Sequence, residues 1–161
     1  LATGERAACR FDAEGFRLFL PPLAFTPAER MAEASLTLRL WVKAEAKRTF
    51  AERLAFWSAR LGVQPRRFLV TAPRARWGSC NAVNDIRLNW RLMQLPPDLL
   101  DYVVLHELCH IPHKNHGPAF WATLVRVLPD GKARRAALRR FERSDAWRTP
   151  PVLANDDETT G

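Results

Sequence analysis

The sequence predicts an α+β fold in one domain, with a long N-terminal helix, a small antiparallel sheet and a run of helices after it. Three observations carry this. Apolar residues recur at helical spacing over residues 31–61, they alternate with polar ones over 76–90, and the proline-bounded segments after Pro96 return to helical spacing. A length of 161 residues allows one good-sized core and is short for two. A composition of 47% hydrophobic and 26% charged residues excludes a disordered chain. Its 7 Gly and 12 Pro residues, without period, exclude a fibrous one. No apolar run approaches the roughly 20 residues of a membrane-spanning helix.

Taken in order, Arg6–Phe11 and Phe16–Leu20 read as two short strands joined by the turn Asp12–Gly15, with Pro21-Pro22 closing the hairpin. Thr26-Pro27-Ala28-Glu29 then spells a capping box with proline at N1. The helix it starts carries Met31, Ala34, Leu38, Val42, Ala46, Phe50, Leu54, Trp57 and Leu61 as one apolar stripe, and Gly62 ends it. Phe68–Thr71 reads as a strand. Arg76–Cys80 and Ile86–Trp90, joined by the polar turn Asn81–Asp85, read as a second antiparallel pair. Pro96-Pro97 opens a helix running through Ile111, where Pro112 stops it. Gly117-Pro118 starts another to about Leu128, and Asp130 caps a last one to about Asp145. Residues 1–148 are thus expected to form one domain, a hairpin over 1–25 and a core over 26–148, with 149–161 a flexible tail.

All four histidines, His106, His110, His113 and His116, fall within eleven consecutive residues, and the first two frame H-E-x-x-H. On a helix, positions four apart lie one turn above each other, so His106 and His110 present two imidazoles to one ion with Glu107 beside them. A catalytic zinc takes three protein ligands and leaves one position for water. His116 is favoured as the third, because the chain leaves the helix at Pro112 and can fold back before Gly117. His113 and a more distant acid are the alternatives. Glu107 between two ligands is the expected general base for hydrolysis by metal-activated water. Tyr102, Asn89, Arg87, Ser79 and Trp77 are candidate substrate-binding groups, and the Trp77–Cys80 or Ile86–Trp90 edge is a candidate for strand addition by an extended peptide. Cys109 is rotated about 100° from His110 and reads as a buried hydrophobe.

At these residues the sequence resembles a known family. Trp77-Gly-Ser-Cys80, Ile86-x-Leu-Asn-Trp-Arg-Leu92, Asp101-Tyr-Val-Val-x-His-Glu-Leu-Cys-His110 and Asn115-His-Gly-Pro-x-Phe-Trp121 look like the YgjP-like metallopeptidases, zincins of the SprT-like group. The resemblance runs from about Trp41 to about Leu138 and implies a zincin-like fold with one zinc ion. It implies His106, His110 and His116 as ligands, with Glu107 as catalytic base. The family usually has glycine in the turn where this chain has Asn84-Asp85. Asparagine tolerates the same left-handed backbone.

The net charge of +8 is uneven. Arg60–Arg91 holds seven arginines and one acid, Asp85, while Arg126–Arg148 holds eight basic residues and three acids. A DNA-associated SprT- or Spartan-like protease, or a nucleic-acid-binding module, is therefore the second expectation. A non-catalytic, zinc-stabilised interaction domain is the third. A peptide or protein substrate is the expected partner, with no membrane association and the oligomeric state left open. Three widely spaced cysteines and a first ten residues without an apolar core point to free thiols, no signal peptide and a cytoplasmic location.

Overall fold

The computed structural model describes residues 7–12, 15–19, 26–73 and 75–144. The hairpin tip, Pro21-Pro22, Asp145 and the expected tail lie outside the described residues. The first two strands, β1 (Ala8–Asp12) and β2 (Gly15–Phe19), pair antiparallel with Ala8 opposite Phe19.

Helix α1 spans Pro27–Leu61. Its start is fixed reciprocally: the Thr26 hydroxyl accepts from the Glu29 amide at 3.3 Å, and the Glu29 carboxylate accepts from the Thr26 amide at 2.6 Å. Its end is fixed by Gly62, whose φ of +74° admits the left-handed turn that sends its N–H to the Ser58 carbonyl at 2.9 Å. The apolar stripe is buried only in its C-terminal half, where Ala46, Phe50, Leu54 and Trp57 enter the core. At the other end Met31 is 62% and Leu40 60% exposed. Helical spacing reports which residues share a face, but only the stretch facing the rest of the core is covered.

The second sheet contains β3 (Arg67–Thr71), β4 (Gly78–Cys80) and β5 (Asp85–Asn89) in the order β3-β5-β4. The β4–β5 pair is antiparallel as expected, but β3 runs parallel to β5, so this sheet is mixed. The reversal of direction falls in the 72–77 connection, and β5 is paired on both sides. Side chains alternate as the register demands. Ile86 and Leu88 are fully buried, while Leu69, Arg87 and Ser79 share a row on the opposite face. The strand stops at Asn89, one residue before the expected Trp90. There the Asn89 Oδ1 accepts from the Arg91 amide at 3.1 Å and caps a 3₁₀ turn over Trp90–Gln94.

Helix α2 (Pro97–Cys109) ends two residues short of Ile111, with His110 at its C-cap. Leu99, Leu100, Tyr102, Val103, Val104, Leu105, Leu108 and Cys109 are all buried. A bidentate pair fastens α2 to α1, both Arg53–Asp101 contacts being 2.6 Å. Helices α3 (Pro118–Val127) and α4 (Gly131–Arg143) complete the core through Phe120, Leu124 and Leu138. Asp130 stands at the α4 N-cap position, but its carboxylate accepts from Arg134 Nε at 2.9 Å and makes no side-chain cap. No described helix is long and apolar enough to cross a membrane.

Asp85 is the buried ionic tie at the start of β5. Arg66 grips it bidentately at 2.7 Å and Arg67 adds a contact at 3.0 Å. The Arg66 hydrogen bonds, against the opposing effect of burial and with help from Arg67, hold its pKa down at about 2. A folded pKa below the unfolded value of about 3.9 means stability that is fully present above that value and lost as pH falls through the folded one. Urea melts should therefore show Asp85→Asn less stable than the wild type above about pH 4, with the gap closing as the pH falls toward about 2. A gap independent of pH would show that the ion pairs do not stabilise the fold.

Candidate metal centre

His106 and His110 lie one turn apart at the end of α2, and Pro112 then forces the chain out of the helix. The loop that follows carries His116 back over the helix end. His116 Nε2 comes within 2.9 Å of His106 Nε2, and one ligand nitrogen from each of His106, His110 and His116 lies within 4.8 Å of the others. The Phe120 ring sits close to all three imidazoles, at centroid distances of 4.9, 4.7 and 4.8 Å. His113 is not in this group. Its ring faces the Thr123 hydroxyl at 3.0 Å, while its carbonyl lies 2.9 Å from His110 Nδ1. A carbonyl only accepts, so Nδ1 of His110 carries the proton and Nε2 keeps its lone pair for the cluster.

The loop is held from the sheet. Lys114 Nζ donates to the Asn81 carbonyl at 3.1 Å and to Asn84 Oδ1, and Asn84 adopts a φ of 65° in the β4–β5 turn. Asn115 Oδ1 accepts from the Gly117 amide at 3.2 Å, where α3 begins.

Burial, together with the neighbouring His110, His116 and Arg135, pushes the His106 pKa down to about 3, and His116 is also lowered, first by burial. Burial thus favours the neutral form of both rings, the form that donates a lone pair. A single proton shared between two facing Nε2 atoms satisfies one lone pair and leaves the third nitrogen unserved. One cation serves all three, so this donor set fits a metal ion of the kind that prefers imidazole.

Glu107 projects beside the cluster and is 6% exposed. No hydrogen-bond or ion-pair partner reaches its carboxylate among the described residues. Burial raises its pKa to about 8, against the opposing charge of Arg76. The room for it comes from β4: a Cβ on Gly78 would lie 2.8 Å from Glu107 Cγ and 2.8 Å from Oε1. Glycine at this position is a demand of close approach.

His106 and Glu107 open onto a cleft of about 280 Å³. Arg76, Trp77 and Gly78 form one wall, α2 supplies Tyr102, His106 and Glu107, and α4 closes it with Arg135 and Arg139. Of the substrate-binding candidates, Trp77 and Tyr102 therefore lie at the cleft. Trp77 Nε1 donates to Glu142 at 2.8 Å, while Tyr102 is buried with its ring 5.9 Å from that of His106. Ser79 and Arg87 do not line the cleft, because they sit on the sheet face opposite Gly78. Asn89 is structural: its Nδ2 donates to the carbonyls of Pro73 and Arg76 at 2.8 and 3.0 Å, fixing the connection that carries Trp77. The Ile86–Trp90 edge does not exist, since β5 is the central strand. Among the described residues the β4 edge is left open. Sequence reasoning missed Arg135 and Arg139, which reach the cleft from a helix some thirty residues downstream.

The model of the YgjP-like family, a metallopeptidase domain, matches residues 20–141. The chain belongs to this family. It is thus a metallopeptidase, a hydrolase, and the three-histidine cluster lies within the matched span. Among solved structures, the chain is similar to the metallopeptidase zymogen abylysin of Pyrococcus abyssi, with 19% identity and a TM-score of 0.52 over 59% of this chain and 97% of that one. It is similar also to the metallopeptidase zymogen jannalysin of Methanocaldococcus jannaschii, with 20% identity and a TM-score of 0.50 over 58% of this chain and 95% of that one. Both share the α+β fold. No curated protein matches the sequence.

In this YgjP-like protein Gly78→Ala is expected to displace the Glu107 side chain and to leave the histidines in place. Cleavage of a fluorogenic peptide should fall at least tenfold while the metal affinity, followed by calorimetry, changes less than about threefold. Equal activity in the variant would mean that Glu107 does not need its observed position.

Proposed function

We propose that this YgjP-like chain is a zinc-dependent peptidase in which His106, His110 and His116 hold one zinc ion and Glu107 is the general base. The observation that carries the reading is the buried, partnerless carboxylate of Glu107 set beside three converging imidazoles. A structural glutamate in such a place would be paired, because an isolated buried charge is costly. A carboxylate left without a partner beside three converging imidazoles is instead placed to move protons. A bound zinc ion would supply Lewis acidity, lowering the pKa of water toward about 7 and polarising a carbonyl.

The chain's own residues do the rest. Glu107 takes the proton of the attacking water and passes it to the leaving amine, and Gly78 keeps that carboxylate in reach. The open edge of β4 offers backbone groups to an extended peptide, and Trp77 forms the adjoining wall. Phe120 packs beside the histidines and excludes water from the inner side of the cluster. The lack of a structural partner for Glu107 also favours this reading over a zinc-stabilised interaction domain. The free thiols of Cys9, Cys80 and Cys109 support a reducing compartment such as the cytoplasm.

Two outcomes are expected. The purified chain binds one equivalent of zinc by elemental analysis, and His116→Ala lowers that affinity at least tenfold. Glu107→Gln keeps the zinc but loses at least 100-fold in kcat on a cleaved peptide, the scale of a missing general base. Turnover of Glu107→Gln at the wild-type rate would remove Glu107 from the mechanism.

A further inference from the structure

Five cations stand on one face of α4. Lys132, Arg135, Arg139, Arg140 and Arg143, with Trp121 beside them, line a groove of about 610 Å³. Arg135 and Arg139 line both this groove and the cleft that holds His106 and Glu107, so the two spaces adjoin.

Several arginines elsewhere are paired. Arg48, Arg53, Arg66, Arg67 and Arg134 each hold a carboxylate within 3.2 Å. None of the five groove cations has an ion-pair partner among the described residues. Arg135 and Arg139, and Arg139 and Arg143, are like charges at i,i+4, a spacing that opposes the helix. Glu142, on the same helix, accepts from Trp77 Nε1 at the cleft wall. Cations that repel one another along a concave surface call for an anionic ligand.

We propose that the α4 groove is the specificity subsite of the peptidase and takes acidic side chains of the substrate flanking the scissile bond. This rests on the peptidase reading of the cleft. Adjacency decides the ligand class: a peptide lying in the cleft beside His106 and Glu107 has the groove next to it, past Arg135 and Arg139. Arginine forks suit carboxylates, which they bind bidentately. A nucleic-acid strand is less well served. The aromatic face on which a base would stack, that of Trp121, is already covered by the Arg135 guanidinium at 4.7 Å.

The test uses the zinc-loaded Glu107→Gln protein, so that binding is read without cleavage. Fluorescence anisotropy compares a labelled peptide rich in Glu and Asp with its Gln and Asn counterpart, in the parent and with Arg139→Glu and Arg143→Glu together. The acidic peptide should bind at least tenfold tighter, with the preference reduced by salt and inverted toward a Lys-rich peptide by charge reversal. Equal binding of the acidic and amide peptides overturns the proposal. So does a single-stranded oligonucleotide of equal charge that binds more tightly than the peptide and loses its affinity in the same variant. Wild-type cleavage separates this from the function above. Hydrolysis of neutral peptides without acidic preference defeats the subsite alone, whereas tight acidic binding with no peptide cleaved by the wild type defeats the peptidase reading.

Discussion

Helix α2 has to be enclosed on every side and still keep one polar strip inside the enclosure. Its apolar residues bind it to α1, α3, α4 and the sheet, and the Arg53–Asp101 pair fixes it against α1. Within that packing, His106 and Glu107 are drawn in together at the floor of the cleft, Glu107 buried and His106 half-buried. The same burial acts on them in opposite directions, pushing the imidazole toward its neutral form and the carboxylate toward holding a proton. A loose helix would give neither effect. The cost of ordering the long α1 and the mixed sheet is met by the apolar contacts that close around this strip, and each fully buried side chain such as Phe50 or Phe120 contributes about 1.5–3 kcal/mol.

Much of this was legible from local chemistry. The Thr26 capping box, the Gly62 terminus and the H-E-x-x-H spacing each act within a few residues, so the sequence displays them directly. The gathering of His116 with His106 and His110 also followed from a short-range fact, the break at Pro112. What escaped depended on which element lies beside which. Alternation identified the two faces of β5, but it carries no information on neighbours, so the parallel partner β3 and the central place of β5 were not visible. For the same reason Ser79 and Arg87 read as cleft residues although they face the other way. Asn89, read as a substrate contact, proved to be a backbone anchor, a role set by carbonyls of Pro73 and Arg76 more than ten residues away. Arg135 and Arg139 appeared only as part of a basic run, since the turn of α4 toward the cleft is decided by helix packing.

The solved relatives are covered over 97% and 95% of their lengths, while the superposition uses 59% and 58% of this chain. The shared architecture is the smaller unit, and this protein adds structure to it. The exposed apolar residues Met31, Leu36 and Leu40 in the first turns of α1 show how differently the two halves of that helix are employed.

Asparagine at position 84, at the left-handed position of the β4–β5 turn, does more than shape the backbone. A left-handed conformation costs an ordinary residue on the order of 1 kcal/mol, and asparagine is among the few that tolerate it. A glycine would adopt the same turn with nothing projecting from it. Here the side-chain amide oxygen meets Lys114, two residues before His116 in the chain. The loop that carries the one exposed histidine of the cluster is thereby tied to the β4–β5 turn. A change at position 84 therefore acts on the loop that carries His116 and not on the turn alone.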